Sequence, residues 1–252
     1  MSRKEADTGD WLAGVNPALE QLRRDPRAIR KLLVARGARG GALGVAAEAR
    51  RAGLEVVPED PRRLDEIAAG VAHQGVVALL RAYEYADWHR LVAQKPACLV
   101  LADQITDPRN LGALVRSAEA GGAGGVVIPQ DRSASVTAVV AKAAAGATAF
   151  VPVARVVNLA RALGDLKDAG YWLVGLDASA EQSLFDFSFP ELCGLVVGAE
   201  GKGLRPLTRA TCDHLVSIPM VGRVGSLNVS VAAAVALYER LRQTRGKRVS
   251  TD

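Results

Sequence analysis

Asn110 and Arg116 are the first pair of side chains in this sequence that could do chemistry. They lie in residues 107–118, DPRNLGALVRSA, which follow an apolar stretch and open with the helix-start residues Asp107 and Pro108. The two are six positions apart, so a helix places them on neighbouring faces. Arg116 stands among apolar residues, where an arginine either forms an ion pair at the edge of the core or faces an anion in a cleft. The pattern leaves both roles open.

A glycine-rich loop follows a later apolar stretch. Residues 198–204, GAEGKGL, place three glycines within six residues and carry Glu200. Glycines let a backbone turn sharply and approach a ligand, and the carboxyl end of a parallel strand is a common place for a ligand crevice. The spacing matches neither the dinucleotide-binding pattern nor a phosphate-binding loop that ends in Lys-Ser or Lys-Thr. Taken alone, the loop is equally compatible with a simple turn.

Residues 218–234, IPMVGRVGSLNVSVAAA, form a third segment, in which polar groups precede a helix of small residues. Ser226 or Asn228 is suited to cap that helix, a role that contributes about 1 kcal/mol. The pair supplies more hydrogen-bonding groups than one cap needs. Both are therefore candidate site residues beside Asn110, Arg116 and Glu200.

Short apolar stretches alternate with helical patterns through the second part of the chain. Strands are predicted at 98–102, 125–128, 172–176, 195–197 and 215–218, and helices at 110–120, 136–145, 159–169, 204–210 and 227–242. Near-continuous apolar strands that alternate with helices are typical of a parallel sheet covered on both faces. The predicted fold class is α/β, with a parallel-sheet catalytic domain over residues 98–243.

The first part of the chain has its own pattern and predicts a separate small α/β domain over residues 11–80. Its predicted helices are 16–24, with Asn16 as the N-cap, and 43–52; its predicted strands are 31–35, 54–57 and 76–80. The polar and aromatic residues 81–97 are predicted to be a linker with one helical turn. Residues 1–10 are predicted to be a leader.

Composition limits the class of protein further. The chain has 252 residues, of which 49% are hydrophobic, and a formal charge of +5, which suits a polyanionic partner. Its three widely spaced cysteines, Cys98, Cys193 and Cys212, predict buried free thiols and no zinc site. No apolar stretch reaches the roughly 18 residues of a membrane span. With no apolar secretory signal at the start, these features predict a cytoplasmic protein.

Positive charge is concentrated in the smaller domain. Residues 23–51 contain nine Lys or Arg against the two acids Asp25 and Glu48, a net charge of +7. A charge run is often only a solvated surface, but its place in a separate small domain favours RNA binding. A basic tail either adds to that surface or is an end without structure; it comprises Arg240, Arg242, Arg245, Lys247 and Arg248.

Taken together, the three motifs resemble the SpoU, or TrmH-like, branch of the SPOUT RNA methyltransferases. The match is in their order and spacing, and it covers about residues 97–241. The resemblance implies a catalytic domain with a C-terminal trefoil knot, a homodimer, and S-adenosylmethionine as methyl donor. Residues 14–16 (GVN), the basic stretch and residues 73–76 (HQGV) resemble the substrate-binding domain, similar to ribosomal protein L30e, that precedes this catalytic domain.

The resemblance also implies roles for individual residues. Those matching catalytic positions are Asn110, Arg116, Glu200, Ser226 and Asn228. Those matching the cofactor site are Gly198, Glu200, Gly201, Gly203, Ile218, Met220 and Leu227. The implied reaction methylates a ribose 2′-hydroxyl, in a guanosine of 23S rRNA, without a metal. Because a guanidinium is not normally deprotonated, Arg116 is either a phosphate or alkoxide ligand or a base in an unusual site.

Two alternatives remain at the level of sequence. One is the same chemistry on tRNA or on another rRNA nucleotide. The other is an RNA-binding ribosome assembly factor without turnover, against which the complete set of catalytic residues argues. A nucleotide-dependent oxidoreductase is excluded because the chain lacks the dinucleotide-binding pattern.

Overall fold

The structure of the protein is a computed structural model that describes residues 10–247. The predicted leader up to Gly9 and Arg248 of the basic tail lie outside the described residues. The chain divides into two compact units between Tyr83 and Glu84.

The first unit is a mixed four-stranded sheet with three helices. Its strands are β1 (Trp11–Ala13), β2 (Ile29–Ala35), β3 (Val56–Glu59) and β4 (Val76–Leu80), and its helices are α1 (Val15–Arg24), α2 (Gly41–Arg51) and α3 (Pro61–Ala68). The strand order is β1-β4-β2-β3, in which only β2 and β3 run parallel. Leu33, Leu64 and Leu79 are buried in a core between the sheet and α3.

The predicted N-cap at Asn16 is wrong. Helix α1 begins at Val15, after Gly14 with a φ of 106°. The Val15 backbone N–H donates to the Gln74 side-chain oxygen at 3.1 Å. Because a distant glutamine already accepts the first free N–H of the helix, no cap from Asn16 is needed. Helix α3 and strand β1 escaped prediction, although Asp60 before Pro61 is a helix-start signal that the structure uses.

The second unit is a parallel α/β unit, as the sequence predicts. Its strands are β5 (Cys98–Ala102), β6 (Val126–Pro129), β7 (Val153–Val156), β8 (Trp172–Leu176), β9 (Cys193–Val197) and β10 (His214–Val216). Its helices are α4 (Trp88–Ala93), α5 (Pro108–Ala120), α6 (Ala138–Ala143), α7 (Leu159–Asp168), α8 (Pro206–Thr211) and α9 (Val229–Lys247). All six strands run parallel in the order β10-β8-β9-β5-β6-β7.

The strand order brings the predicted motifs together. The two central strands, β5 and β9, are buried along their whole length. From β5 the chain continues to β6 on one side, and from β9 it continues to β10 on the other. A crevice forms at the carboxyl ends of neighbouring parallel strands where the connections diverge in this way. The loops after β5 and β9 carry the first and second motifs to this crevice.

Helix α5 is held close to its neighbours by small residues. Asp107 caps it, because its carboxylate accepts the Arg109 backbone N–H at 2.7 Å. A Cβ at Gly112 would lie 2.5 Å from the Ala143 Cβ, so only glycine lets α5 pack this closely against α6. Helix α5 also packs against α9. These contacts fix the helix that carries Asn110 and Arg116.

Residues 84–97, from the segment predicted as a linker, contain helix α4. Trp88 and Leu91 are buried in the hydrophobic core of the second unit. The Trp88 indole N–H donates to the Asp165 carboxylate at 3.1 Å. Trp88 therefore packs the core, and the domain boundaries at residues 80 and 98 stay a prediction.

Three further observations concern ligands and membranes. Cys98 and Cys193 are buried free thiols, and Cys212 is a partly buried one. Among residues 10–247, no group of three or more His, Cys, Asp or Glu side chains is placed to hold a metal ion. Across that same range no helix has the length and apolar character to cross a membrane.

Candidate active site at the carboxyl ends of the strands

The glycine-rich loop after β9 folds back tightly on itself. The Ala199 N–H donates to the Gly203 carbonyl at 3.0 Å, and the Gly203 N–H donates to the Ala199 carbonyl at 2.8 Å. A Cβ at Gly198 would lie 2.1 Å from the Gly203 carbonyl carbon. Gly201 and Gly203 have φ values of 73° and 65°, in the left-handed region that favours glycine. Each of the three glycines is therefore required by the backbone.

A buried carboxylate anchors the end of this loop. Asp103 directly follows β5, and its side chain is fully buried. It accepts the Arg205 backbone N–H at 3.1 Å and the Arg205 Nε–H at 2.6 Å. Because a buried carboxylate is stable only when charged or hydrogen-bonded partners satisfy it, the pair fixes the glycine-rich loop to the neighbouring strand. Asp103 was not among the predicted site residues, although an acid at the end of an apolar strand was a usable signal.

A cavity of about 340 Å³, the main cavity, lies against this loop. Apolar side chains form much of its wall, including Leu176, Val197 and Val216. All of the residues predicted to bind a cofactor line it: Gly198, Glu200, Gly201, Gly203, Ile218, Met220 and Leu227. The cavity has the size and the largely apolar lining of a small-molecule site.

Asp177 also lines the main cavity, and sequence analysis did not select it. Its carboxylate accepts hydrogen bonds from the Ser179 N–H at 2.8 Å, the Ser179 hydroxyl at 2.7 Å and the Arg209 Nε–H at 2.5 Å. Burial raises the pKa of Asp177, but the hydrogen bonds from Ser179 and Arg209 outweigh it, so the pKa is lowered. Asp177 therefore places a fixed negative charge at the wall.

Three of the five predicted catalytic residues are joined by hydrogen bonds. The Asn110 Nδ2 donates to the Glu200 Oε2 at 2.8 Å, and the Asn228 Nδ2 donates to the Asn110 Oδ1 at 2.9 Å. The Asn228 Oδ1 in turn accepts the Ser230 backbone N–H at 3.0 Å and the Ser230 hydroxyl at 2.6 Å. We call this series Glu200–Asn110–Asn228–Ser230 the polar chain. It links all three motifs.

Both ends of the polar chain fix its direction. The Glu200 carboxylate only accepts hydrogen bonds, so Asn110 must turn its amide nitrogen toward it. The Ser230 backbone N–H only donates, so Asn228 must turn its amide oxygen toward the start of α9. The remaining amide nitrogen of Asn228 then donates to the remaining amide oxygen of Asn110. Asn228 therefore both caps α9 and holds Asn110, the two roles that the sequence left open.

Arg116 and Ser226 lie outside the polar chain. Both side chains are exposed. Within residues 10–247, neither the Arg116 guanidinium nor the Ser226 hydroxyl forms a salt bridge or hydrogen bond. Of the two roles considered for Arg116, an ion pair at the edge of the core is therefore wrong for the described part of the chain, because such a pair needs a carboxylate partner. Ser226 lines the main cavity.

The fold and the site together define the class of protein. The second unit is a parallel α/β unit with a glycine-rich loop at a cavity, and a small mixed α/β unit with a basic segment precedes it. The SpoU rRNA Methylase family model matches residues 97–238, and the model for RNA 2′-O ribose methyltransferase substrate binding matches residues 11–86. The chain belongs to the SpoU rRNA methylase family, which confirms the resemblance seen in the sequence.

Named relatives and solved structures agree with this membership. The 23S rRNA (guanosine-2′-O-)-methyltransferase RlmB of Bordetella pertussis is 44% identical over 239 residues, 93% of this chain and 98% of that protein. The SpoU methyltransferase AviRb from Streptomyces viridochromogenes, in complex with the cofactor AdoMet, is 27% identical, with a TM-score of 0.69, covering 98% of this chain and 95% of that one. The A. aeolicus TrmH/SpoU tRNA modifying enzyme is 28% identical, with a TM-score of 0.56, covering 64% of this chain and 84% of that one.

Proposed function

We propose that this protein transfers a methyl group from S-adenosylmethionine to the ribose 2′-hydroxyl of a guanosine in 23S rRNA. The observation that carries the proposal is the polar chain, which joins all three family motifs and reaches the main cavity through Glu200. The match to both units of the 23S rRNA methyltransferase of Bordetella pertussis supports the choice of RNA, because it extends over 93% of this chain. The tRNA-modifying relative from A. aeolicus matches only 64%.

The main cavity fits S-adenosylmethionine, which supplies an activated methyl group when bound. Apolar side chains such as Ile218 and Leu227 suit the adenine ring, and Gly198, Gly201 and Gly203 bring backbone without side chains to the cavity wall. S-adenosylmethionine carries a positive sulfonium, and the carboxylates of Asp177 and Glu200 line the same cavity. Opposite charges in a sheltered site attract, so the lining suits this ligand.

The protein's own side chains position the acceptor and handle its proton. The polar chain holds Asn110, Glu200 and Asn228 rigidly, which serves orientation of the ribose. Arg116 donates hydrogen bonds to a phosphate or to the 2′-oxygen as negative charge develops there. A guanidinium is not normally deprotonated in proteins, which argues against a role as an ordinary base. Ser226, at the cavity wall with a free hydroxyl, binds the ribose or phosphate.

We further propose a homodimer, in which a second copy lies close to the active site. Helix α9 exposes Val231 and Tyr238 at 47% and 54%, although its opposite side is buried. Exposed apolar side chains on a helix beside a site suit a contact between subunits. Light scattering of the purified chain tests this, and a monomer at micromolar concentration would contradict it.

We also propose that the second unit ends in a C-terminal trefoil knot and that the first unit is similar to ribosomal protein L30e. Both proposals rest on the family membership alone.

The first unit binds RNA, and its basic residues contact the phosphate backbone. Residues 11–86 match a substrate-binding family, and Arg36 and Arg39 are exposed at the loop after β2. Replacing both by Glu should weaken binding to in vitro transcribed 23S rRNA more than tenfold at low salt. S-adenosylmethionine affinity should not change, because the cavity lies wholly in the second unit. Equal RNA affinity in the double variant would remove this role.

The proposed activity is tested by mapping 2′-O-methylation in rRNA and tRNA from cells with and without this protein. The expected result is one guanosine of 23S rRNA that loses its methyl group, in the cytoplasm where ribosomes are assembled. A lost methyl group in tRNA would favour the tRNA alternative. No lost methyl group, together with no heat in calorimetry with millimolar S-adenosylmethionine, would favour an assembly factor without turnover.

A further inference from the structure

A second cavity, of about 400 Å³, lies next to the main cavity. The two cavities share Ala199, Glu200 and Val229 as a common wall. The other side of the second cavity is formed by the loops after β5 and β6, and Asn110 of the polar chain also lines it. If the main cavity holds the methyl donor, the second cavity is the space from which an acceptor reaches the same residues.

Two cations line the second cavity without a charged partner. Arg132 and Lys202 are exposed, and within the described residues 10–247 neither side chain has a hydrogen bond or a salt bridge. Carboxylates are present in the same wall, but they have other partners. Asp107 accepts the Arg109 N–H at 2.7 Å, and Glu200 accepts the Asn110 amide at 2.8 Å. The two cations therefore remain available to an anion that enters the cavity.

The loop that carries Arg132 is held in a strained conformation. Arg132 has a φ of 56° and Gln104, also in the cavity wall, a φ of 62°. The left-handed region costs a residue with a side chain of the order of 1 kcal/mol, and such strain persists where the surroundings enforce it. Here the Ser133 hydroxyl and the Ala134 N–H both donate to the Ile105 carbonyl, at 3.2 Å and 2.8 Å. Neighbouring loops therefore hold Arg132 at the cavity.

We propose that the second cavity takes the acceptor nucleotide, and that Arg132 and Lys202 bind the phosphate group beside the methylated ribose. The proposal rests on the proposed function, since it names the substrate side of the same site. Arginine offers a planar fork and lysine a point charge, and both are suited to phosphate oxygens. A cavity of this volume accommodates one nucleotide turned out of its stack. The unpaired cations and the strained loop both follow from this role.

The test measures RNA affinity and its salt dependence for Arg132→Ala, Lys202→Ala and the double variant. The probe is in vitro transcribed 23S rRNA, with S-adenosylhomocysteine present so that no turnover occurs. Each single substitution should weaken binding about tenfold and reduce the slope of log affinity against log salt by about one. The matched control is Arg161→Ala, because Arg161 is an exposed arginine of the second unit that lines neither cavity.

Calorimetry with S-adenosylmethionine separates this role from a role in donor binding. Donor affinity should stay within about twofold of the wild type in all variants. Unchanged RNA affinity and salt slope in the double variant would overturn the proposal, as would a loss of donor affinity that accounts for the whole effect. If the wild-type protein methylates the transcript while the variants bind it normally, only the second cavity is wrongly assigned. If the wild type methylates no RNA, the proposed function itself fails.

Discussion

The polar chain and the pair Arg116 and Ser226 are two parts of one candidate site, and they differ in whether their side chains have hydrogen-bond partners. In the polar chain every amide group that faces a neighbour has a partner, and the carboxylate and the helix N-terminus fix its direction. Arg116 and Ser226 are exposed, and within residues 10–247 their side chains have no such partner. All six residues come from the same three motifs.

This difference separates two kinds of contribution. A group that is already satisfied within the chain fixes loops and orients others, so its loss costs stability as well as activity. A group without a partner contributes nothing measurable to the folded chain alone, so its loss affects only what it binds. The same reasoning applies to Arg132 and Lys202 at the second cavity. Substitutions in the two parts should therefore give different combinations of stability and activity.

The largest effect is expected at Arg116. Arg116→Ala should lower single-turnover methyl transfer by about 10³-fold, because the charge that develops on the 2′-oxygen or the phosphate loses its donor. The free energy of unfolding should change by less than about 0.5 kcal/mol, since the side chain is exposed. Arg116→Lys should restore little, because an ammonium lacks the planar fork. A fall in melting temperature with a proportionate loss of donor and RNA binding would show that Arg116 stabilises the fold, and would contradict its assignment to substrate alone.

The second effect tests the glycine-rich loop on which the polar chain depends. Gly198→Ala should lower S-adenosylmethionine affinity by about 100-fold, because the new Cβ would lie 2.1 Å from the Gly203 carbonyl carbon and force the loop open. Gly164→Ala is the matched control, since a Cβ there in helix α7 meets nothing within 4 Å. The control should keep its affinity and gain up to about 1 kcal/mol of stability. Normal donor binding by Gly198→Ala would contradict the claim that S-adenosylmethionine binding needs the closed conformation of the glycine-rich loop.

A third substitution breaks the polar chain between Asn228 and Asn110. Asn228→Asp keeps the oxygen that caps α9 but removes the amide that donates to Asn110. Asn110 would then stand between two carboxylates with a single amide nitrogen, so one of them stays unsatisfied. Methyl transfer should fall about tenfold, and the free energy of unfolding by about 1 kcal/mol. Loss of activity with no loss of stability would place Asn228 with Arg116, as a group that acts on substrate alone.

The smallest effect is expected at Arg209, which pairs with Asp177 at the main cavity. The pKa of Asp177 is lowered from its usual 3.8, burial being outweighed by hydrogen bonds from Ser179 and Arg209. A lowered pKa in the folded state contributes stability that is present above about pH 4 and is lost as the pH falls through the folded value. Arg209→Ala should therefore cost about 0.5 kcal/mol at pH 7, because Arg209 is 47% exposed. Urea titrations should show this difference shrinking below pH 4, and a constant difference would exclude the pair as its cause.

Much of the fold was predictable from local patterns. The apolar stretch 98–102 coincides with β5 because a fully buried parallel strand is apolar throughout. The apolar stretch 172–176 coincides with β8, whose three middle residues are buried. Strand β7 was missed because it is short and interrupted by the exposed Arg155. Strand β1 was missed for a similar reason, since only three residues pair with β4. Trp88 was assigned to a linker because a short polar helix gives no clear periodicity.

Some residues of the candidate site were predictable from the sequence, and others were not. The seven residues expected to bind the cofactor all line one cavity, because glycines and apolar strand ends leave a clear mark in the sequence. Their binding role stays a prediction. Asp103, Asp177 and Arg132 left a weaker mark, since a single charged residue after a strand has many uses. Only the tertiary structure shows that Asp103 is a buried anchor, that Asp177 places a charge at the main cavity and that Arg132 is an unpaired cation at the second cavity.

The sequence by itself determined most of the strands and helices along the chain, the positions of the three motifs and the family that they identify. These depend on side-chain period, turn chemistry and residue type, all of which are local properties. The tertiary structure decided which side chains meet. Asn110 and Asn228 are 118 positions apart, yet their amides lie 2.9 Å from each other. Such a distance depends on the order of strands in the sheet and on how closely α5 and α9 pack, which no local pattern encodes.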